Sequence, residues 1–203
     1  MKLKVCGMRN AENISELIKL KPDFIGFIFY HKSKRFVENI PQVTIPKEIN
    51  KVGVFVNENE DDILDRVNQY QLNFVQLHGD ETPEFCDKLG VQKAFKIIKA
   101  FSVDEAFNFD ETKPFEKGCS YFLFDTKGKN YGGNGVKFNW SILQNYKGTI
   151  PFLLSGGISE NDVVEVNKIN HPKFMGIDVN SGFEIEPALK NIEKLKEFKN
   201  NLV

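Results

Sequence analysis

Two short loops in this sequence combine glycine with hydroxyl or amide side chains, a composition that suits a bound phosphate. Residues 155–157 (Ser-Gly-Gly) and 180–182 (Asn-Ser-Gly) each follow a run of apolar residues. Glycine lets the backbone come close to a ligand, and backbone N–H groups beside a hydroxyl can hydrogen-bond an anion. Either loop alone fits an ordinary tight turn equally well, but the two together predict one phosphate-binding site. The residues assigned to it are Gly156, Gly157, Asn180, Ser181 and Gly182.

A thiol stands at the end of the first apolar run, at Cys6. A cysteine acts as a base only in its thiolate form, and at its ordinary pKa it is mostly protonated at neutral pH. A catalytic Cys6 would therefore need nearby positive charge, which Lys4, Arg9 or Arg35 could supply. By its position alone, Cys6 fits an inert core residue better than a base.

A carboxyl group ends another apolar run, at Asp125. Among Phe122, Phe124 and the neighbouring backbone it should be partly desolvated, which raises its pKa and favours the protonated form. Such a group could donate a proton to a substrate. The alternative is an aspartate that caps a loop or pairs with Lys127 or Lys129.

A glutamine and a histidine lie close together at the end of a further run, at Gln76 and His78. Gln76 can line the mouth of a pocket there, and His78 can either orient a neighbouring side chain or hydrogen-bond its own turn. His31 and His171 are far from it in sequence, and no trio of His, Cys or carboxylate residues has a spacing typical of metal ligands. We therefore expect no metal site.

The elements that must position these residues follow from apolar runs rich in Val, Ile and Phe. Most runs are too continuous for half-exposed antiparallel strands and instead suit parallel strands buried on both faces. The runs are 2–6, 24–29, 52–56, 74–77, 94–98, 121–124, 151–154 and 174–179. Amphipathic segments predict helices between several of them, at 10–20, 61–70, 159–169 and 187–198.

Strand-plus-helix units of roughly 25 residues predict an α/β fold with parallel strands and right-handed crossovers. An open doubly wound sheet and a closed (β/α)8 barrel (TIM barrel) both satisfy this pattern, but eight units favour a compact barrel. Prolines at 41 and 46 predict a weak or missing second helix, and residues 103–110 allow only a short fifth helix. No linker divides the chain, so we expect a single domain over residues 1–203. In such a barrel the chemistry lies at the C-terminal ends of the strands.

The composition restricts the possible partners. The 203 residues carry 27 Lys and Arg against 28 Asp and Glu, a net charge of −1, without a long basic block. This balance argues against nucleic acid or a membrane surface as a partner. Three cysteines are too few for a disulfide framework and favour a reducing compartment. The longest apolar run, 24–30, is far shorter than the ~20 residues of a membrane span, and the first residues leave no room for a signal peptide, so we expect a cytoplasmic protein.

The same strand-end residues form motifs that resemble, in order and over nearly the whole chain, those of the phosphoribosylanthranilate isomerase family. The motifs are KVCG at 4–7, GVFVN at 53–57, VQLHGDE at 75–81, FDT at 124–126, GGNG at 132–135, SGG at 155–157 and DVNSGFE at 178–184. This order occurs in few other barrels. The chain departs from the family pattern at Asn134, where threonine is expected, at Asn180, where serine is expected, and at residues 187–191 (PALKN), where the family has Pro-Gly-x-Lys-Asp.

The resemblance implies a cofactor-free (β/α)8 barrel that performs an Amadori rearrangement in tryptophan biosynthesis. Its substrate is N-(5-phosphoribosyl)anthranilate, and its product is 1-(2-carboxyphenylamino)-1-deoxyribulose 5-phosphate. An acid protonates the furanose ring oxygen to open the ring, and a base then removes the C2′ proton. By their places in the motifs, Asp125 resembles the family's acid and Cys6 its base.

The expected strand order predicts how the substrate is oriented in the pocket. Strands 7 and 8, which carry the phosphate loops, would lie between Asp125 on strand 6 and Cys6 on strand 1. The anthranilate ring would then point toward strand 2, where Arg35 could pair with its carboxylate in a bidentate fork. The alternative is a solvated basic loop, since Lys32 and Lys34 lie just before this arginine. The predicted substrate-binding residues outside the phosphate site are Arg35, Gln76, His78 and Asp178.

Three alternative functions can be compared with this sequence. A ribulose-phosphate epimerase would need metal-binding histidines and carboxylates at several strand ends, and a histidine-pathway isomerase would need an aspartate in place of Cys6. A catalytically silent barrel that only binds a phosphorylated small molecule is a third reading, against which the pair of Cys6 and Asp125 argues. Whether the chain is a monomer or a homodimer is left open by the pattern of its helices.

Overall fold

Eight parallel strands form a closed barrel in the computed structural model, which describes residues 1–92, 94–126 and 137–203. The strands follow each other around the barrel in sequence order, and β8 pairs with β1 to close it. They are β1 (Lys2–Val5), β2 (Phe24–Ile28), β3 (Asn50–Phe55), β4 (Phe74–Leu77), β5 (Lys96–Val103), β6 (Tyr121–Thr126), β7 (Phe152–Leu154) and β8 (Phe174–Val179). The (β/α)8 barrel predicted from the apolar runs is confirmed. The GGNG motif at 132–135, Lys127 and Lys129 lie outside the described residues.

The α-helices of the described residues are α1 (Ala11–Lys19), α2 (Glu60–Tyr70), α3 (Pro83–Gly90), α4 (Val163–Asn167) and α5 (Ile192–Asn200). Four of them begin after a side chain that accepts a hydrogen bond from a backbone N–H of the first turn. These capping residues are Asn10, Asn59, Thr82 and Asn191. Short 3₁₀ helices at Phe109–Phe115, Trp140–Asn145, Glu160–Asp162 and Ser181–Phe183 complete the connections.

The second and fifth helices are weak, as predicted. Residues 29–49, all of them described, connect β2 to β3 through turns and bends without a helix. The connection after β5 contains only the 3₁₀ helix Phe109–Phe115, with Pro114 inside it. Proline lacks the backbone N–H that a longer helix would need there.

The prediction for the fifth strand was wrong in its extent. The apolar run predicts a strand at 94–98, but β5 runs from Lys96 to Val103. Lys99 interrupts the run in sequence, yet its side chain is buried and its ammonium lies 2.9 Å from a carboxylate oxygen of Glu81. A charged residue can occupy a buried strand when such a partner is present.

The prediction for the last helix was wrong at its beginning. Proline at 187 and the amphipathic pattern place the start there, but α5 begins at Ile192. The preceding residues form a small antiparallel pair, β9 (Glu184–Glu186) and β10 (Leu189–Lys190), with Ala188 in the left-handed region at φ 70°. The side chain of Asn191 then caps the helix by accepting a hydrogen bond from Lys194 N–H.

Two apolar clusters hold the barrel together. The larger lies between the strands and the outer helices, and the smaller fills the barrel interior with residues such as Phe24, Val52 and Leu123. Inward-facing residues alternate along each strand, so the polar side chains that follow the inner cluster also point toward the barrel axis. These inward polar side chains form the floor of the site described next.

Candidate active site

Every residue that the sequence analysis assigned to the site lines one pocket at the C-terminal ends of the strands. The two glycine loops after β7 and β8 form one side of this pocket. Cys6 follows β1, Asp125 lies in β6, and Arg35 comes from the connection after β2. The structure therefore brings together, from separate strands, the site residues that the motifs predicted within the described part of the chain.

The Cys6 thiol is buried, with 4% of the residue exposed. A Cβ at Gly26 on β2 would lie 2.7 Å from Cys6 Sγ, so the absence of a side chain at Gly26 makes room for the sulfur. Burial raises the pKa of the thiol above its ordinary value, and the positive charges of Lys4 and Lys190 offset only part of that increase. In the resting protein Cys6 is therefore a thiol, because burial and the Asp178 carboxylate oppose the thiolate while Lys4 and Lys190 favour it.

Lys4 and Asp178 form an ion pair inside the barrel, with Nζ 2.9 Å from Oδ1. They lie opposite each other on the neighbouring strands β1 and β8, and both are buried. Burial alone would lower the pKa of Lys4, but Asp178 and the Cys6 thiol raise it overall. For Asp178, burial raises the pKa despite the attraction of Lys4. The structure thus holds an ammonium group in its charged form beside Cys6.

The source of positive charge near Cys6 differs partly from the sequence-based prediction. Lys4 supplies it as expected, whereas exposed Arg9 donates to the backbone carbonyls of Lys34 and Phe36. Lys190 supplies the other charge and was missed, because the segment around it was interpreted as the first turn of a helix. The only sequence signal for a role of Lys190 was its position in the PALKN segment at 187–191.

Asp125 is held by a chain of side chains that begins on β4. The Gln76 amide nitrogen lies 2.8 Å from His78 Nδ1, and His78 Nε2 lies 3.2 Å from Asp125 Oδ2. If the amide donates to Nδ1, the imidazole hydrogen is on Nε2 and points at the carboxyl group. Of the two roles left open for His78, the structure therefore favours the orientation of a neighbour.

The two glycine loops approach each other and the end of β6 through their backbones. Gly156 has φ +95°, and a Cβ there would lie 2.3 Å from Thr126 Oγ1. A Cβ at Gly182 would lie 2.1 Å from the carbonyl oxygen of Ile158. Close packing alone therefore requires glycine at both positions, and it also places the loops side by side at the pocket.

Arg35 is not a solvated basic residue. Its Nε and Nη2 lie 2.8 and 2.6 Å from the carboxylate oxygens of Glu184, in a bidentate ion pair. Its side chain also crosses Gly7, where a Cβ would lie 2.7 Å from Arg35 Cδ. Glu184 is part of the motif at 178–184 and has no role predicted from the sequence.

Among the described residues, no group of three His, Cys, Asp or Glu side chains could hold a metal ion. Across the same ranges, no helix is both long and apolar enough to cross a membrane. The chemistry that the described residues offer is that of thiol, carboxyl, imidazole, ammonium and guanidinium groups around one pocket.

Comparison with known proteins agrees with this arrangement. The family model of N-(5′-phosphoribosyl)anthranilate (PRA) isomerase matches residues 3–201. The N-(5′-phosphoribosyl)anthranilate isomerase of Parabacteroides distasonis is 48% identical over 203 residues, covering 98% of this chain and 91% of that protein. The crystal structure of phosphoribosyl anthranilate isomerase from Thermotoga maritima has a TM-score of 0.86 at 34% identity, covering 99% of this chain and 98% of that one.

A further crystal structure shows phosphoribosyl anthranilate isomerase in complex with reduced 1-(o-carboxyphenylamino)-1-deoxyribulose 5-phosphate. It has a TM-score of 0.81 at 31% identity and covers 99% of this chain and 97% of that one. The resemblance inferred from the motifs is confirmed over the whole chain. The chain belongs to the N-(5′-phosphoribosyl)anthranilate isomerase family.

Proposed function

We propose that this chain converts N-(5′-phosphoribosyl)anthranilate into 1-(2-carboxyphenylamino)-1-deoxyribulose 5-phosphate, the isomerase step of tryptophan biosynthesis. The observation that carries the proposal is that Cys6 and Asp125 line the same pocket as the two glycine loops. Since β7 and β8 lie between β6 and β1, a phosphate held by these loops would leave the sugar between the carboxyl group and the thiol.

In the phosphate site, the backbone N–H groups around Gly156, Gly157 and Gly182 are the proposed donors, with the hydroxyl of Ser181 beside them. A dianion anchored at one end of the substrate fixes the distance of the sugar carbons from the acid and the base. The Asn180 side chain faces the protein, where its Oδ1 lies 2.8 Å from Lys190 Nζ. We therefore propose that the Asn180 side chain supports the loop after β8 and that Asn180 contacts the phosphate only through its backbone.

In the first step, Asp125 would donate a proton to the furanose ring oxygen, so that the C1′–O bond breaks and a Schiff base forms. The contact with His78 occupies Oδ2, which leaves Oδ1 to carry the proton. Asp125 is 5% exposed, so little water competes for that proton. General acid catalysis of this kind is worth about 10²–10⁴-fold in rate.

In the second step, the Cys6 thiolate would remove the C2′ proton. The C2′–H electron pair forms a C1′=C2′ double bond while the C1′=N pair moves to nitrogen, giving an enolamine. Protonation at C1′ and loss of the O2′ proton then give the ketone. Lys4, held in its charged form by Asp178, would stabilise the thiolate during this step.

The opposite wall of the pocket suits the anthranilate ring. Ile28, Tyr30, Val54 and Val56 line it on the side of β2 and β3. Arg35 lies on the same side and would bind the aromatic carboxylate. The pocket is thus polar where the phosphate and sugar would lie and apolar where a flat ring would lie, which is typical of ligand sites.

We also propose that residues 1–203 act as one domain without a cofactor and without a nucleic-acid partner. A biosynthetic role and the three free cysteines fit a reducing cytoplasm, where we expect the protein to work.

The test is to supply phosphoribosylanthranilate and follow the loss of its anthranilate fluorescence. We expect saturable turnover without added metal or cofactor. Tight binding of the substrate without turnover would instead favour the silent, ligand-binding barrel.

A further inference from the structure

Glu184 joins two buried or half-buried cations at the edge of the pocket. Its carboxylate accepts hydrogen bonds from Arg35 Nε and Nη2 at 2.8 and 2.6 Å and from Lys190 Nζ at 2.5 Å. Only 6% of the Glu184 side chain, 15% of that of Arg35 and none of that of Lys190 is exposed. The Ala188 N–H also donates to Glu184, at 3.1 Å. The carboxylate is therefore fixed by the chain on both sides.

We propose that Glu184 is a positioning residue that holds Arg35 ready for the substrate carboxylate, with Lys190 as the charge that keeps this cluster positive. The inference rests on the proposed function, since it takes Arg35 as the ligand of the anthranilate carboxylate. Glu184 itself is not proposed to touch the substrate.

The geometry of the guanidinium group supports this role. A guanidinium presents five N–H donors in a rigid plane. Glu184 takes the edge formed by Nε and Nη2, and among the described residues Nη1 has no hydrogen-bond partner. The edge formed by Nη1 and the remaining Nη2 hydrogen is therefore available for a second carboxylate. The stem of Arg35 lies against Gly7, so the group is confined on a second side as well.

The charges of the cluster explain why a lysine is needed. Arg35 and Glu184 alone would cancel, and a neutral pair attracts a substrate carboxylate weakly. Lys190 restores a net charge of about +1 to the three groups. Burial alone would raise the pKa of Glu184, but Arg35 and Lys190 lower it overall, so the carboxylate stays ionised. Lys190 also donates to Asn180 Oδ1 at 2.8 Å, which ties the cluster to the loop after β8.

A double variant, Glu184→Gln/Lys190→Met, separates positioning from charge. It removes one negative and one positive charge, so the cluster keeps the net charge of the wild type, and each new side chain is close in size to the old one. It also avoids leaving Lys190 buried without a charged partner, which the single variant Glu184→Gln would do. Thermal unfolding of the double variant verifies that it is folded.

We expect the KM for phosphoribosylanthranilate to rise by about tenfold or more, because two charge-assisted hydrogen bonds no longer fix Arg35. We expect kcat to stay within about threefold of that of Lys190→Met alone, since both variants lose the same cation near Cys6 and keep the reacting groups. Inhibition by ribose 5-phosphate, which lacks the aromatic carboxylate, should also be nearly the same as in Lys190→Met, since both variants lose the contact with Asn180. This split between KM and kcat would not follow from a general loss of packing.

The outcomes distinguish the inference from the proposed function on which it rests. Arg35→Ala is the reference variant, and an unchanged KM in it would remove Arg35 from the site and overturn the inference, while the isomerase activity would stand on turnover itself. If Arg35→Ala raises KM but the double variant behaves as the wild type, Glu184 has no positioning role. An equal weakening of ribose 5-phosphate would show that Glu184 only maintains the shape of the pocket and would overturn the inference as well.

Discussion

At the scale of single residues, the site depends on how a buried thiol is surrounded. Cys6 has a glycine on one side and the ammonium groups of Lys4 and Lys190 nearby. Burial opposes ionisation of the thiol, and the cations favour it. The balance leaves Cys6 mostly protonated at rest but gives its thiolate immediate stabilisation, which distinguishes it from an inert core cysteine.

Replacement of Cys6 by serine tests its role with an almost isosteric change. A hydroxyl has a far higher pKa than a thiol and cannot take the C2′ proton at neutral pH, so we expect activity to be nearly eliminated. The measurement is the rate of fluorescence loss per folded molecule. Near-normal activity in folded Cys6→Ser would return Cys6 to the core and leave the base unidentified.

The pH dependence follows from the same surroundings. A base works only when deprotonated, and burial raises the pKa of Cys6 above its ordinary value of 9.0. We therefore expect the rate at which a small alkylating reagent modifies the Cys6 thiol to rise with pH between about 6 and 9, since the thiolate fraction grows roughly tenfold per unit below the pKa.

Lys4→Met should move this rise to higher pH, because loss of a cation raises the pKa of Cys6 further. The change also breaks a buried ion pair, at a cost of about 3–5 kcal/mol in stability, so folding is measured in parallel. Lys2→Met is the matched control, since Lys2 is half-exposed on the same strand. A pH profile that stays unchanged in folded Lys4→Met would contradict the role of Lys4.

At the scale of elements, glycines in strands and loops decide how closely the functional groups approach. Gly26 on β2 leaves space for the Cys6 sulfur, and Gly156 and Gly182 let the two loops contact neighbouring backbone. These glycines are needed for packing inside the site itself, so changes there should affect activity before they unfold the barrel.

Gly26→Ala should reduce kcat by about tenfold or more, because the added methyl group would lie 2.7 Å from Cys6 Sγ and displace it. We expect only a modest loss of stability, measured by thermal unfolding. A folded variant with unchanged kcat would show that the position of the sulfur is not important for the reaction.

Ser181→Asp should weaken binding of the phosphorylated substrate far more than it lowers stability. It places a carboxylate where the loops after β7 and β8 would meet a dianion, and like charges repel. The measurement is KM for the substrate together with inhibition by inorganic phosphate. Unchanged values for both would remove the phosphate site from these loops.

At the scale of the whole molecule, the barrel could be predicted well because its strands are buried on both faces and read as continuous apolar runs. The prediction failed where contacts between residues far apart in sequence, rather than the local pattern of apolar residues, determine the secondary structure. β5 contains Lys99, which is neutralised by Glu81, and the residues before α5 form a β pair instead of a helical turn.

The residues that line the pocket could be predicted from the motifs, but the charges that support them could not. Arg35 and Glu184 are 149 residues apart in sequence, and Lys4 and Asp178 are 174 apart. Only the closed barrel, in which β8 pairs with β1, brings such residues together. Sequence spacing carries no information about these pairs, which explains why Glu184 received no role.

We propose above all that the barrel brings an acid from β6 and a base from β1 to one substrate. Asp125→Asn tests it most directly, since the amide keeps the shape and the contact with His78 but has no acidic proton to donate. We expect the rate of fluorescence loss to fall by about 10²–10⁴-fold while KM and the thermal unfolding temperature stay close to those of the wild type. A folded Asp125→Asn protein that retains more than about a tenth of the wild-type rate would contradict the account.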